Sequence, residues 1–243
     1  MSKNITRREA VKVMGLAAAA AVAGAAAPDA KALTLEKKMK VLLINGSPRR
    51  SGNTNRMLEE VAAQLARNDI ASEIVHIGTG AVHGCTACGQ CHRKGGRCVF
   101  DDDICNTLLD KMAESDGLVV GAPVYYGVPA GQVLSILQRM AYAGGAVMQG
   151  KPAAAVTVCR RGGATSSFQT LQMPFQMLNM PIVTSQYWNI AYGGAPGEVE
   201  QDEEGMQTMR TLADNMAYML KQFDSGKAKK PEREPGTFTN FIR

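Results

Sequence analysis

The apolar positions of this chain fall into two alternating patterns, short apolar runs and helical stripes. Short runs, β-branched or alternating, predict strands of a covered sheet, whereas apolar residues spaced three or four apart predict helices that pack on it. The runs predict five strands, at residues 41–44, 72–77, 117–121, 153–159 and 181–183. The stripes predict five helices, at about residues 54–67, 104–114, 129–141, 167–178 and 200–222.

Two residues predict where helices begin. Asp103 directly precedes the second helix, and a carboxylate there is expected to accept hydrogen bonds from first-turn N–H groups as the N-cap. Pro129 is expected to open the third helix, because proline is favoured in the first helical turn.

Strands that alternate with helices predict an α/β fold of three layers, with a doubly wound parallel sheet covered on both faces. We expect the flavodoxin-like strand order 2-1-3-4-5. In that order a ligand binds at the carboxyl ends of the first and third strands. The loops at those two positions are also the ones with specialised composition.

The loop after the first strand, residues 46–54, reads Gly-Ser-Pro-Arg-Arg-Ser-Gly-Asn-Thr and leads directly into a helix. Small residues allow the backbone to curl, and the unpaired N–H groups of a helix start attract a phosphate. The loop has neither the Walker lysine nor a Gly-x-Gly-x-x-Gly pattern, which argues against an NTPase and an ordinary dinucleotide site. A plain strand-to-helix turn is the alternative. The side chains expected at the phosphate are Ser47, Arg49, Ser51, Asn53 and Thr54.

The loops after the third and fourth strands complete a family resemblance. They read Pro123, Val124, Tyr125, Tyr126 and Gly127 in the first case and Arg161, Gly162 and Gly163 in the second. With the 46–54 loop, they resemble the flavodoxin-like NAD(P)H-dependent FMN reductases, and are most similar to the iron–sulfur flavoproteins, over about residues 40–190. The resemblance implies that FMN binds, with its phosphate on the first loop and its ring against the other two, often at a dimer interface.

The physical chemistry of these loops agrees with that implication. An isoalloxazine ring needs a flat slot with an apolar or aromatic wall and nearby backbone N–H groups. Tyrosines after a buried strand supply such a wall, and glycines let the backbone approach the ring closely. Packing of the tyrosines in the core is the alternative.

Four cysteines form the sharpest local pattern, Cys85-x2-Cys88-x2-Cys91-x6-Cys98, in a glycine-rich loop that spans residues 78–100. Three thiolates three residues apart, with a fourth further on, can wrap one iron–sulfur cluster, although the last gap is longer than in the bacterial ferredoxin run. The compact motif of iron–sulfur flavoproteins is similar, which implies a 4Fe–4S cluster. A zinc site, two disulfides or free thiols remain alternatives.

The N-terminal segment, residues 1–32, resembles a twin-arginine signal peptide. Arg7 and Arg8 precede a weakly apolar run from residue 13 to 27, and small residues suited to cleavage occur near Ala27 and Ala32. The run is too short and alanine-rich for a stable membrane span. We therefore expect a periplasmic or exported protein, with a cytoplasmic location as the alternative.

The net charge gives little support for nucleic-acid binding. The formal charge is +5, but residues 1–32 carry five basic and two acidic residues, which leaves +2 for the rest. No Ser-His-Asp arrangement suggests a hydrolase. Cys105 and Cys159 fall on a predicted helix and strand, so we expect them to be buried.

These observations predict a signal peptide at residues 1–32, an FMN-binding domain at residues 33–222 and a tail at residues 223–243. The expected function is an FMN-dependent oxidoreductase that takes a hydride from NAD(P)H, or electrons from a redox protein, without a catalytic acid or base. An electron carrier with FMN and a cluster but no small-molecule substrate is the main alternative, and a non-redox binding module is another. We expect a homodimer or higher oligomer.

Overall fold

A parallel sheet forms the middle layer of the structure, a computed structural model that describes residues 38–229 and, beyond them, residues 231, 232, 234, 236, 237 and 239. Its strands are β1 (Lys40–Asn45), β2 (Ala71–His76), β3 (Gly117–Tyr125), β5 (Ala153–Cys159) and β6 (Ile190–Tyr192). They pair in the order β2-β1-β3-β5-β6, and a short strand, β4 (Val128–Pro129), pairs antiparallel with the end of β3. Apart from β4, this is the predicted flavodoxin-like order.

Helices cover both faces of the sheet. They are α1 (Asn53–Arg67), α2 (Gln90–Arg93), α3 (Cys105–Ala113), α4 (Gly131–Met148), α5 (Ala164–Met177) and α6 (Glu203–Asp224), with a 3-10 helix at Glu198–Gln201. Helices α3, α4 and α5 pack in one hydrophobic cluster, and α1 and α6 in the other. The predicted three layers are therefore present.

Alternation within each strand explains why the apolar runs are continuous. In β1, Leu42 belongs to the cluster on the α4 side, whereas Leu43 belongs to the cluster on the α1 side. In β3, Val120 and Val119 divide in the same way. Because successive side chains point to opposite faces and both faces are covered, nearly every position must be apolar.

The predicted fifth strand is wrong in position. Residues 181–183 make only one isolated bridge, Ala153 to Ile182, and the Val183 N–H donates to the Ala153 carbonyl at 2.8 Å. The paired strand is β6, where the Ile190 register partner is Thr157. Residues 181–183 therefore contact the sheet edge through one bridge, and regular strand pairing resumes only at β6.

Two predictions of helix starts are also corrected. Pro129 lies in β4, and α4 begins at Gly131 and runs to Met148, past the predicted end, with a non-helical backbone at Gly144. Ile104, not Asp103, occupies the N-cap position of α3. The Asp103 carboxylate still accepts a hydrogen bond from the Cys105 N–H at 3.0 Å, while its other oxygen pairs with Arg139.

Two predictions concern the ends of the chain. The proposed twin-arginine segment lies outside the described residues, and α6 continues two residues into the predicted tail. Within the described part of the chain, none of the helices has the length and apolar character required to cross a bilayer.

Candidate functional site

An open cleft with a volume of about 160 Å³ lies where the carboxyl ends of β1 and β3 meet. Seven predicted residues line it: Ser47, Arg49, Asn53, Thr54, Pro123, Val124 and Tyr125. Six further residues that were not among the predicted FMN contacts also line it: Gly52, Val158, Cys159, Arg160, Gly193 and Gly194. The cleft therefore lies at the point where the strand order reverses, as doubly wound sheets require of their ligand sites.

Sheet contacts hold the 46–54 loop in a fixed curl. The Gly46 N–H donates to the Gly121 carbonyl at 2.8 Å, and a Cβ at Gly46 would lie 2.6 Å from the Val133 side chain. The buried Asn45 accepts a hydrogen bond from the Ser47 N–H at 3.0 Å. The Ser47 hydroxyl then accepts one from the Arg49 N–H at 3.1 Å.

The start of α1 gives one end of the cleft an anion-binding character. Gly52 precedes the helix and has no side chain to cap the first-turn N–H groups. The buried Thr54 lies in that first turn, and Arg49 and Arg160 add positive charge to the same wall. Free helix N–H groups with nearby guanidinium groups suit a phosphate.

A glycine-rich loop forms the outer wall of the cleft, and Asn53 anchors it. The Asn53 amide donates to the Ala195 carbonyl and accepts from the Gly197 N–H, both at 2.9 Å. The Glu198 carboxylate accepts from the N–H groups of Gly194 and Ala195 at 2.7 and 2.8 Å. Those two hydrogen bonds hold the pKa of Glu198 below its ordinary value. The small-residue run 193–197 after β6 was the sequence signal for this wall.

Other predicted flavin-contacting residues lie beside the cleft without lining it. These are Ser51, Tyr126, Gly127, Arg161, Gly162 and Gly163. Tyr126 and Gly127 form the turn between β3 and β4 with positive φ angles, and the Tyr126 side chain is fully exposed. Gly163 contacts that turn so closely that a Cβ on it would lie 2.6 Å from the Gly127 Cα.

A second, smaller cavity, with a volume of about 20 Å³, lies between the cysteine loop and α4. Cys85, Cys88, Cys91 and Cys98 all line it, together with Phe100, Arg139 and Tyr142. All four predicted ligands therefore line one cavity. None of the four forms a disulfide bond. Within the described residues, no three His, Cys, Asp or Glu side chains converge closely enough to hold a single metal ion.

Cys98 is the most firmly held of the four cysteines. The buried Asn106 accepts a hydrogen bond from the Cys98 N–H at 2.9 Å and donates to the Cys98 carbonyl at 3.1 Å. Arg139 donates from Nε to the Cys98 sulfur at 3.2 Å. Sequence reasoning missed both residues, although an arginine within the apolar stripe of a helix was a usable signal.

The two remaining cysteines are buried, as predicted. Burial raises the pKa of Cys105 to about 12, so this thiol stays protonated near neutral pH. Burial also raises the pKa of Cys159, which forms part of the cleft floor, although hydrogen bonds from the backbone oppose the shift.

Comparison with known proteins places these features in a family. Residues 39–195 match the model of a family described as NADPH-dependent FMN reductase. This chain belongs to that family. It is therefore an FMN-dependent oxidoreductase or electron carrier. An iron–sulfur flavoprotein of Methanocaldococcus jannaschii is 31% identical over 191 residues, which cover 75% of this chain and 98% of that protein. An iron–sulfur flavoprotein of Methanosarcina thermophila is 29% identical over 196 residues, which cover 79% of this chain and 100% of that protein.

Solved structures show the same fold at low sequence identity. A flavone reductase is similar with a TM-score of 0.59 and 17% identity, covering 79% of this chain and 66% of that chain. RosB, solved with a bound 8-demethyl-8-formylriboflavin-5'-phosphate, has a TM-score of 0.55 at 15% identity, covering 84% and 92%. An archaeal flavodoxin has a TM-score of 0.52 at 15% identity, covering 75% and 99%.

Proposed function

We propose that the chain binds FMN in the β1–β3 cleft and exchanges electrons with a 4Fe–4S cluster held by Cys85, Cys88, Cys91 and Cys98. One observation carries the proposal: the fold has a cleft with a helix N-terminus at the carboxyl ends of β1 and β3, and a pocket lined by four thiols in the loop that follows the neighbouring strand β2. Family membership supports the flavin, and the names of the relatives support the cluster.

The phosphate of FMN suits the end of the cleft formed by the 46–54 loop. There the N–H groups at the start of α1 and the Arg49 guanidinium meet a rigid backbone curl. These groups need no rearrangement to bind an anion, because Asn45 and Gly121 already fix the curl. The absence of a Walker lysine in the loop suits a monophosphate rather than a nucleoside triphosphate.

The flavin ring suits the other end of the cleft. Pro123, Val124 and Tyr125 form an apolar and aromatic wall there, and Tyr125 remains 44% exposed. The adjoining turns at Tyr126–Gly127 and Arg161–Gly163 provide the rim of the slot in this proposal. When bound, FMN supplies hydride and single-electron chemistry, and these residues orient it and limit water access.

The start of the cysteine loop is held against the elements that frame the flavin cleft. His76, at the end of β2, has its Nε2 2.8 Å from the Ser47 carbonyl oxygen. Gln132, at the start of α4, donates to the Gly80 carbonyl at 2.9 Å. Both contacts fix the start of the cysteine loop against the elements that frame the flavin cleft.

Two neighbouring arginines provide the test of the phosphate assignment. Arg49 lines the cleft and Arg50 does not, although both are exposed in the same loop. Charge-assisted hydrogen bonds contribute about 1.5–3 kcal/mol, so Arg49→Gln should weaken FMN binding at least about tenfold. Arg50→Gln should leave the dissociation constant for FMN unchanged in the same fluorescence titration. Equal effects of the two substitutions would contradict the assignment.

Whether the chain turns over NAD(P)H separates an enzyme from a carrier. Anaerobic mixing of the FMN-loaded protein with NADPH or NADH, followed by flavin absorbance, decides between them. We expect rapid bleaching, and reoxidation by a quinone or free flavin. Bleaching only by a reduced redox protein would favour the carrier.

The proposal includes export by the twin-arginine route, which rests on Arg7, Arg8 and the following apolar run. Because NAD(P)H is scarce outside the cytoplasm, an exported form requires a protein or quinol donor. Cell fractionation of the full chain and of an Arg7→Lys/Arg8→Lys variant tests this. Retention of the wild-type chain in the cytoplasm would contradict it.

We also propose a homodimer. Its support is the family resemblance together with the exposure of Tyr125, Tyr126 and Val128 beside the cleft. Light scattering of the FMN-loaded protein should give at least twice the mass of the purified chain, which is 25.9 kDa before any signal peptide is removed. A monomer mass would contradict it.

A further inference from the structure

Arg139 is the largest charged side chain buried in the described structure, and it faces the cysteine cavity. Its side chain is 1% exposed, although it lies on the apolar face of α4 between Ile136 and Met140. The guanidinium pairs with Asp103, whose side chain is 3% exposed, and donates to the Phe100 carbonyl at 3.1 Å.

The remaining contacts of the guanidinium converge on the cysteine loop. It donates to the His83 carbonyl at 3.3 Å and lies 5.5 Å from the centre of the Phe100 ring. Its Nε donates to the Cys98 sulfur at 3.2 Å. The ion pair with Asp103 would neutralise the buried charge without any contact to sulfur. The hydrogen bond to Cys98 gives the buried Nε–H its acceptor and places a positively charged donor at that sulfur.

We infer that Arg139 is a positioning residue that donates a hydrogen bond to the ligating Cys98 thiolate and thereby raises the reduction potential of the cluster. This inference rests on the proposed function, since it requires a cluster on the four cysteines. One-electron reduction adds one negative charge to a cluster and its thiolates. A charged donor at a ligating sulfur stabilises that form more than the oxidised one.

Asn106 makes the inference testable, because it holds Cys98 independently of Arg139. Its two hydrogen bonds to the Cys98 backbone keep the sulfur at the cavity when the arginine is replaced. Loss of Arg139 alone would leave the Asp103 carboxylate buried and unpaired, which destabilises the fold. The double variant Arg139→Met/Asp103→Asn removes both charges and the sulfur donor together.

The experiment measures iron, sulfide and FMN content and the cluster midpoint potential of the full-length holoprotein. The potential is titrated with a chemical reductant and followed by the paramagnetic signal of the reduced cluster. We expect the double variant to keep its FMN and cluster while the equilibrium constant for reduction falls about tenfold, which corresponds to about 59 mV for a one-electron couple. The matched control is Arg97→Met/Asp110→Asn, an exposed ion pair next to Cys98. It should leave the potential unchanged.

Arg139→Lys is the second variant, since lysine keeps the charge beside Asp103 but cannot reach all the partners of a guanidinium. It should shift the potential in the same direction, and it decides the question if the double variant fails to fold. If a folded Arg139 variant has the wild-type potential, or if the Arg97 control shifts the potential equally, the role of Arg139 is overturned and the proposed function stands. Wild-type protein that contains FMN but no iron would overturn the cluster of the proposed function, and the inference with it.

Discussion

At the scale of single residues, Asp103 and Arg139 determine how the cysteine loop meets the body of the protein. Burial acts to raise the pKa of the Asp103 carboxyl, but hydrogen bonds from Arg139 and from the N–H groups of Cys105 and His83 outweigh it and lower the pKa. One carboxylate thus ties together the start of α3, the cysteine loop and α4.

Asp103→Asn should therefore destabilise the protein. Removal of one partner from a buried ion pair costs about 3–5 kcal/mol, whereas Asp110→Asn, in an exposed pair, should cost less than about 1 kcal/mol. Urea unfolding of the full chain at neutral pH measures both. Equal losses would contradict the importance of the buried pair.

The same carboxylate predicts a pH dependence. A group whose pKa is lower in the folded state stabilises the fold above its unfolded pKa, about 3.9, and this contribution is lost as the pH falls through the folded value. The free energy of unfolding should decrease below about pH 4. Asp103→Asn should make this dependence shallower, and an unchanged slope would contradict the explanation.

Thiol reactivity should divide the six cysteines. Once metal is removed by a chelator under reducing conditions, the exposed Cys85 and Cys88 should be alkylated first. Cys105 and Cys159 should resist until the protein unfolds, because both are buried and their pKa values are raised. Peptide mass mapping over time measures the order. Alkylation of Cys105 as fast as Cys85 would show that α3 does not shield it.

At the scale of elements, the sequence predicted the sheet well except for the edge strand β6 and the short strand β4. Strands such as β5 were evident because both faces are covered and nearly every residue is apolar. The edge strand after α5 was not evident from the sequence, because Ile182 makes a single bridge and the chain then turns before β6. The β4 pairing was missed because two residues, one a proline, carry no periodic signal.

The contact between the β3–β4 turn and the turn after β5 gives a matched pair of substitutions. Gly163 has a φ of +85° and no room for a Cβ, whereas a Cβ on Gly162 meets nothing within 4 Å. Gly163→Ala should lower the free energy of unfolding by about 2 kcal/mol or more, from left-handed strain and overlap with Gly127. Gly162→Ala should leave it nearly unchanged. Thermal unfolding compares the two, and equal stability would contradict this packing.

At the scale of the whole molecule, the candidate sites follow from the topology. The flavodoxin-like order brings the loops after β1, β3 and β5 to one edge, and the cysteines lie in the long loop that follows the neighbouring strand β2. Short motifs therefore predicted seven of the thirteen residues that line the cleft and the four cysteines that line the second cavity. Arg139, Asn106 and the 193–198 wall were not identified, because their roles depend on contacts between residues far apart in sequence.

The central claim is that one chain carries both FMN and an iron–sulfur cluster. Anaerobic purification, with an absorbance spectrum and analysis of FMN, iron, sulfide and zinc, tests it most directly. We predict about one FMN, four irons and four sulfides per chain, with no stoichiometric zinc. A protein that binds no FMN even after its addition, or that holds zinc in place of iron at the four cysteines, would contradict it.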